Sequence, residues 1–382
     1  MQKKVVFFEN IDGLRFFAFL PVFLRHSFHT EYDYIKEDGF YQFVSQFWLH
    51  GNLGVNFFFV LSGFLITFLL LNEQKLNSKI DIKAFYIRRT LRIWPLYFLT
   101  IFAGFFLFQK LKIFFGQVPN ETASLLYYVT FLSNFDIINS GLPDSSILSV
   151  LWSVAIEEQF YLFWPWIIFL LKPKRYLYVF AAIIVASLYF RFLHLDSHPH
   201  MLKYHTMAVI SDMGLGGMGA YFSFYSQKFV DFFRKLSKPW IIITYILGFV
   251  MIGYSNTLFE IPVLKVSKNL WLSVFFAFII MEQNYSENSF FKVSNWKTVS
   301  HLGKWTYGLY CLHFIGILTA TTLSKLLGMN TTMLGVVFFE TSLALVITIL
   351  ISYLSFNWFE KPFLKLKEKF STIVRKDVFQ DS

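Results

Sequence analysis

The chain has 382 residues, and only 15% of them are charged, where a soluble chain carries about a quarter. With 55% hydrophobic residues and 51 phenylalanines, it has too little polar surface for a water-soluble globule. The net charge of +10 argues for a membrane topology rather than a nucleic-acid partner, because its Lys and Arg gather in short loops instead of along one patch.

Repeated apolar stretches of roughly 17–25 residues imply bilayer spans that close their own backbone hydrogen bonds. No cleavable signal peptide is read, since Lys3 and Lys4 precede a segment interrupted by Arg15, Arg25 and His26. The first span lies near 11–29 and also holds Asp12. Ionisable groups in lipid need a partner or a task. Arg15 and His26 are eleven residues apart, which puts them on nearly one helical face at about 16 Å. Arg15 reads either as a snorkelling cation or as an anion ligand. His26 reads either as a hydrogen-bonded packing residue or as a titratable base.

After the second span, near 50–71, comes FYIRRTLRIWP, which leads into the third, near 93–109. Arg88 and Arg92 are i,i+4 neighbours and Arg89 and Arg92 are i,i+3, so a helix points at least one pair the same way. Three guanidinium forks suit phosphate oxygens, while an ordinary topology anchor is the other reading. The stretch near 123–138 is shorter and holds Asn134 and Asp136; it reads as re-entrant. The fourth span, near 150–171, opens with LWSVAIEEQFY. Its adjacent Glu157 and Glu158 project about 100° apart on a helix, so they cannot share a partner. One of them is expected to pair with His26 or Arg25, with a purely structural ion pair as the alternative.

The later spans lie near 176–193, 205–226, 239–254, 269–283, 304–324 and 332–356. His194, His198, His200 and His205 between two of them read as a polar outer loop rather than a metal site. The glycines from Gly214 to Gly219 read as a close-packing helix surface. The single Cys311 reads as a packing residue, while His313 and Glu340 read as polar contacts between helices. The basic amphipathic stretch 361–382 reads as a short cytoplasmic tail lying at the membrane interface.

The positive-inside rule tests the count. With 123–138 not crossing and a cytoplasmic N-terminus, 24 of the 34 Lys and Arg lie inside and 8 outside, leaving Arg15 and Arg25 in the first span. The expected fold is therefore an all-α polytopic membrane protein. It has about ten transmembrane helices, a re-entrant segment near 123–138, and both termini in the cytoplasm. Residues 1–360 form the transmembrane domain.

Several of these stretches together resemble acyltransferase family 3. IDGLRFFAFLPVFLRH resembles that family's opening Arg and His, here Arg15 and His26. FFFVLSGFLIT is similar to its second-helix signature, and FYIRRTLRIWP to its paired arginines, here Arg89 and Arg92. LWSVAIEEQFY resembles its Trp-Ser-Leu…Glu motif, placing the glutamate on Glu157 and replacing the usual Leu by Val154. YGLYCLHF and FEKP are also family-like.

The resemblance implies a multi-pass enzyme of the plasma (inner) membrane, embedded in lipid. It would move an acyl group, most simply acetyl, from cytoplasmic acyl-CoA to a hydroxyl of an extracytoplasmic glycan or lipid-linked sugar. Under it, Arg88, Arg89 and Arg92 hold the phosphates of acetyl-CoA, and Arg15 steers the donor inward. His26 is then the general base or a transient acyl carrier, Glu157 orients His26, and no metal is required. Larger members append an esterase-like domain; here transfer is expected from this chain alone or with a separate partner. A secondary transporter exporting a glycan or small anion without chemistry is the competing class. A receptor or scaffold would not need so many buried ionisable groups.

Overall fold

The structure is a computed structural model that describes residues 8–371 except 29, 31, 49 and 198. Lys3, Lys4, His198 and the tail beyond residue 371 lie outside the described residues. Among the described residues there is no strand, and each stretch read as a span is helical. The long helices are α1 (Asn10–Ser27), α2 (Leu53–Asn77), α3 (Ile82–Phe114), α4 (Leu151–Leu170) and α5 (Pro173–Leu193). They continue with α6 (Thr206–Tyr225), α7 (Lys238–Gly253), α8 (Pro262–Tyr285), α9 (Thr306–Leu326) and α10 (Gly335–Glu368).

Six of these, α2, α3, α5, α8, α9 and α10, are long and apolar enough to cross a bilayer. A seventh is reached if α7 is joined to Gln227–Lys235, from which it bends by 92°. The expected ten differs from this number for a physical reason. α1 carries Asp12, Arg15 and Arg25, α4 carries Glu157 and Glu158, and α6 is diluted by glycines and Asp212. α7 has only 16 residues. The helices that fall short by composition are those whose polar groups turn inward, as the site below shows for α1 and α4.

Local chemistry sets the helix ends. Asp81 accepts the Ala84 N–H at 2.8 Å and caps α3, and proline opens α5 at Pro173. The densest packing is α6 against α2. A Cβ on Gly216 would strike the Val60 carbonyl, and one on Gly63 would strike the Met213 backbone. The two backbones touch because neither glycine has a side chain, which bears out the close-packing role expected for that run.

Residues 123–138 form two short helices, Leu125–Val129 and Ser133–Ser140, of 5 and 8 residues. Neither approaches the ~20 residues that a span needs. Asn134, one of the two polar residues noted in this stretch, anchors it. Its Nδ2 donates to the Tyr204 carbonyl at 3.1 Å, and its Oδ1 accepts from Gln159 of α4 at 2.9 Å. The loop before α6 is held from the other side by buried Arg191, which donates to the carbonyls of Val266, Leu202 and Ala208.

Candidate active site

α1 delivers its two functional side chains to different cavities. Arg15 lines one of about 120 Å³, together with Ser62 of α2, Arg89 and Arg92 of α3, and Glu157 and Tyr161 of α4. Ser62 Oγ donates to Glu157 Oε1 at 2.6 Å, and the Tyr161 hydroxyl donates to Oε2 at 3.2 Å. The Arg89 guanidinium lies over the rings of Phe85 and Tyr161, 5.5 and 5.6 Å from their centroids. Arg89 Nε is buried with no hydrogen-bond partner. Arg15 meets Asp12 at 3.1 Å on its own helix. Glu158 points elsewhere and accepts from Trp94 Nε1 at 2.9 Å, as the 100° offset requires.

The second cavity, of about 410 Å³, is lined by Arg25, His26, Trp152, Lys203, Tyr204 and Phe314 among others. His26 Nδ1 lies 2.9 Å from His313 Nε2, with the rings parallel to within 9°. His313 is fully buried, and its Nδ1 is 2.7 Å from the Tyr310 carbonyl. A carbonyl only accepts, so Nδ1 of His313 carries the proton and its Nε2 is a lone pair. In the neutral pair, His26 Nδ1–H must therefore donate to His313, which leaves His26 Nε2 as the basic nitrogen. Lys203 sits 4.8 Å over the Tyr204 ring. Burial, and then the Arg25 charge, bring its ammonium down to about 8.

The two cavities share a wall. Val55 and Tyr310 line both of them, and the Tyr310 hydroxyl is 2.7 Å from Ser153 Oγ at that junction.

Arg15, Arg89, Arg92 and Glu157 are thus brought together, and Arg88 lies alongside, bonded to Glu73 at 2.7 Å. The expected pairing of Glu157 with His26 is corrected. Glu157 lies one helical turn beyond Ser153, which already marks the junction, so its carboxylate falls on the Arg15 side. His26 is held by His313 instead. Sequence reading favoured a polar contact between helices for His313 over catalysis and did not single out Tyr310, Ser62, Tyr161 or Lys203. The available signal was a histidine within a strongly apolar helix, three residues after a tyrosine.

Other expectations fell as follows. Cys311 is buried between Leu96 and Leu312, and Glu340 accepts from Thr321 at 2.8 Å across α9 and α10. His194 stacks on Phe190 and bonds its carbonyl at 2.8 Å. His205 also stacks on Phe190 and caps α6, and His200 faces the Ile137 carbonyl. Among the described residues, no three His, Cys, Asp or Glu side chains group as metal ligands.

Comparison with known proteins places this geometry in context. The model of an acyltransferase domain matches residues 8–356. A peptidoglycan O-acetyltransferase, OatA, of Listeria monocytogenes is 27% identical over 376 residues, which cover 93% of this chain and 56% of the relative. The putative peptidoglycan O-acetyltransferase YrhL of Bacillus subtilis is 26% identical, covering 93% and 55%. The O-acetyltransferase OatA of Staphylococcus aureus is 33% identical over 193 residues, covering 48% and 29%. The chain spans about half the length of the first two relatives. No solved structure matches.

Proposed function

The chain belongs to the acyltransferase family whose domain it matches over residues 8–356, and from that premise we propose that it is a membrane O-acyltransferase carrying an acetyl group from acetyl-CoA to a glycan hydroxyl across the bilayer. The observation that carries the reading is α1 itself, with an arginine in a cation-rich cavity at one end and a base of defined tautomer in a second cavity at the other. The relatives' names point to peptidoglycan as the acceptor class. The charge asymmetry of the loops supports ten membrane helices with both termini cytoplasmic, in the plasma (inner) membrane. The Arg15 cavity then opens toward the cytoplasm and the His26 cavity toward the far side.

In this mechanism Arg89 and Arg92, with Arg88 beside them, hold the phosphates of acetyl-CoA, and Arg15 steers the arm inward. Glu157, fixed by Ser62 and Tyr161, balances the arginines around the arm instead of orienting His26. The thioester reaches past Val55 and Tyr310 to the second cavity. His26 Nε2 takes the proton of the acceptor hydroxyl as its oxygen attacks the thioester carbonyl. The C–S bond breaks, the new ester forms, and CoA leaves as a thiolate that takes up a proton. Lys203 and Arg25 flank this cavity, and Trp152 and Tyr204 offer aromatic faces to a sugar. The exporter alternative gains no observation, since the family match is to an acyltransferase.

Membrane vesicles supplied with labelled acetyl-CoA test this. Wild type should consume the donor and label a glycan, whereas an exporter would do neither. His26→Ala should lower turnover by about 10²–10⁴-fold with CoA binding retained. A folded His26→Ala protein with undiminished transfer would remove the base from the mechanism.

A further inference from the structure

Lys367 is a cation the mechanism above does not use. It lies on the Lys361–Glu368 segment of α10, which packs against α3. It lines a cavity of about 170 Å³ with Glu73, Arg88, Arg89 and Arg92, and Arg89 and Arg92 are shared with the Glu157 cavity. Four cations therefore face one carboxylate, and that carboxylate is engaged. Glu73 accepts from Arg88 Nη2 at 2.7 Å and from the Asp81 N–H at 3.0 Å. Arg88 Nη1 also donates to the Phe370 carbonyl at 2.8 Å, drawing the end of the segment onto α3.

Like charges gathered in a partly enclosed space repel unless an anion lies among them. The buried Arg89 Nε, which no protein acceptor reaches, faces the same requirement. Glu73 is the one carboxylate lining this cavity, and Glu157 meets Arg89 and Arg92 only from the adjoining one, so four basic side chains converge here on space that suits more than one phosphate group. We propose that Lys367 is a fourth phosphate ligand, and that the Lys361–Glu368 segment forms the outer wall of a site for a ligand bearing several phosphate groups. On the reading above, that ligand is the nucleotide end of acyl-CoA, and the inference rests on that reading. The sequence presents this segment as an interfacial tail. In the structure Lys367 of this segment lines the cavity of Arg88, Arg89 and Arg92.

An anionic lipid headgroup offers the same oxygens, so the experiment separates the two. CoA binding is measured by calorimetry on the full chain in phosphatidylcholine nanodiscs. Lys367→Ala should weaken CoA by about tenfold or more, as loss of a charge-assisted contact does, whereas Lys367→Arg should retain most of the affinity. Exchanging the nanodisc lipid for phosphatidylglycerol should leave wild-type affinity unchanged. If Arg89→Ala weakens CoA but Lys367→Ala binds as wild type does, Lys367 is no ligand, although the donor site stands. If wild type does not bind CoA, the donor reading fails and takes this inference with it. Competition by phosphatidylglycerol that depends on Lys367, with CoA affinity in phosphatidylcholine unaffected by Lys367→Ala, would make the headgroup the occupant and overturn the proposal.

Discussion

Between His26 and His313 a single hydrogen bond of 2.9 Å decides which imidazole nitrogen faces the second cavity. The backbone carbonyl of Tyr310 fixes the tautomer of His313, and His313 in turn fixes that of His26. On the proposed mechanism His313 is a positioning residue, so its loss should affect turnover more than donor binding. His313→Ala is expected to lower kcat by about one to two orders of magnitude, less than the loss of His26 itself. CoA affinity should stay at the wild-type value, because the phosphate ligands lie in the other cavity. Equal kcat for His313→Ala and wild type would mean that the histidine pair is packing only. Arg15 stood out from sequence because charge in an apolar segment demands an explanation, while the family resemblance singled out Arg89, Arg92 and Glu157 from their charged neighbours. His313 did not stand out, since a lone histidine in a helix is compatible with either packing or catalysis until its neighbour is known.

At the level of helices, the contact between α2 and α6 holds the cavity walls in register. α2 contributes Ser62 and Val55 to the linings, and its neighbour α6 can approach only because Gly63 and Gly216 are bare. A methyl group on Gly216 would meet the Val60 carbonyl and the Phe64 nitrogen, which are backbone atoms that no rotamer change can move aside. Gly216→Ala is therefore expected to destabilise the protein by about 1–3 kcal/mol, measured as a lower Tm in detergent. An unchanged Tm would show that the helices can separate without cost. The glycine run was legible as a packing face, but which helix it faced was not. The segment 123–138 shows the converse case. Its short length, Asn134 and Asp136, and the placing of the basic loops marked it as not crossing, and the structure adds that Asn134 pins it to Gln159 and to the Tyr204 backbone.

For the molecule as a whole, sidedness is the property on which the mechanism depends. α3 is a continuous 33-residue helix, with exposed Lys79 just before it and exposed Gln117 just after it. In a Cys311→Ser background, Gln117→Cys should react with a membrane-impermeant maleimide on intact cells, and Lys79→Cys should react only after lysis. The reverse pattern would place the arginine cavity outside and remove the route from cytoplasmic acetyl-CoA.

Membrane residence, helical class and the choice of most candidate side chains were determined by sequence alone. Lipid penalises polar groups so heavily that the few present stand out. The number of spanning helices was less legible, because hydropathy weighs a polar residue equally whether it faces lipid or a partner. Tertiary structure alone decided how the polar groups sort into two cavities on either side of Val55 and Tyr310. It also gave His26 to His313 rather than to Glu157, and set Lys367 beside the arginines of α3. These pairings join residues hundreds of positions apart. No local spacing encodes them, because they depend on which helix faces close against one another.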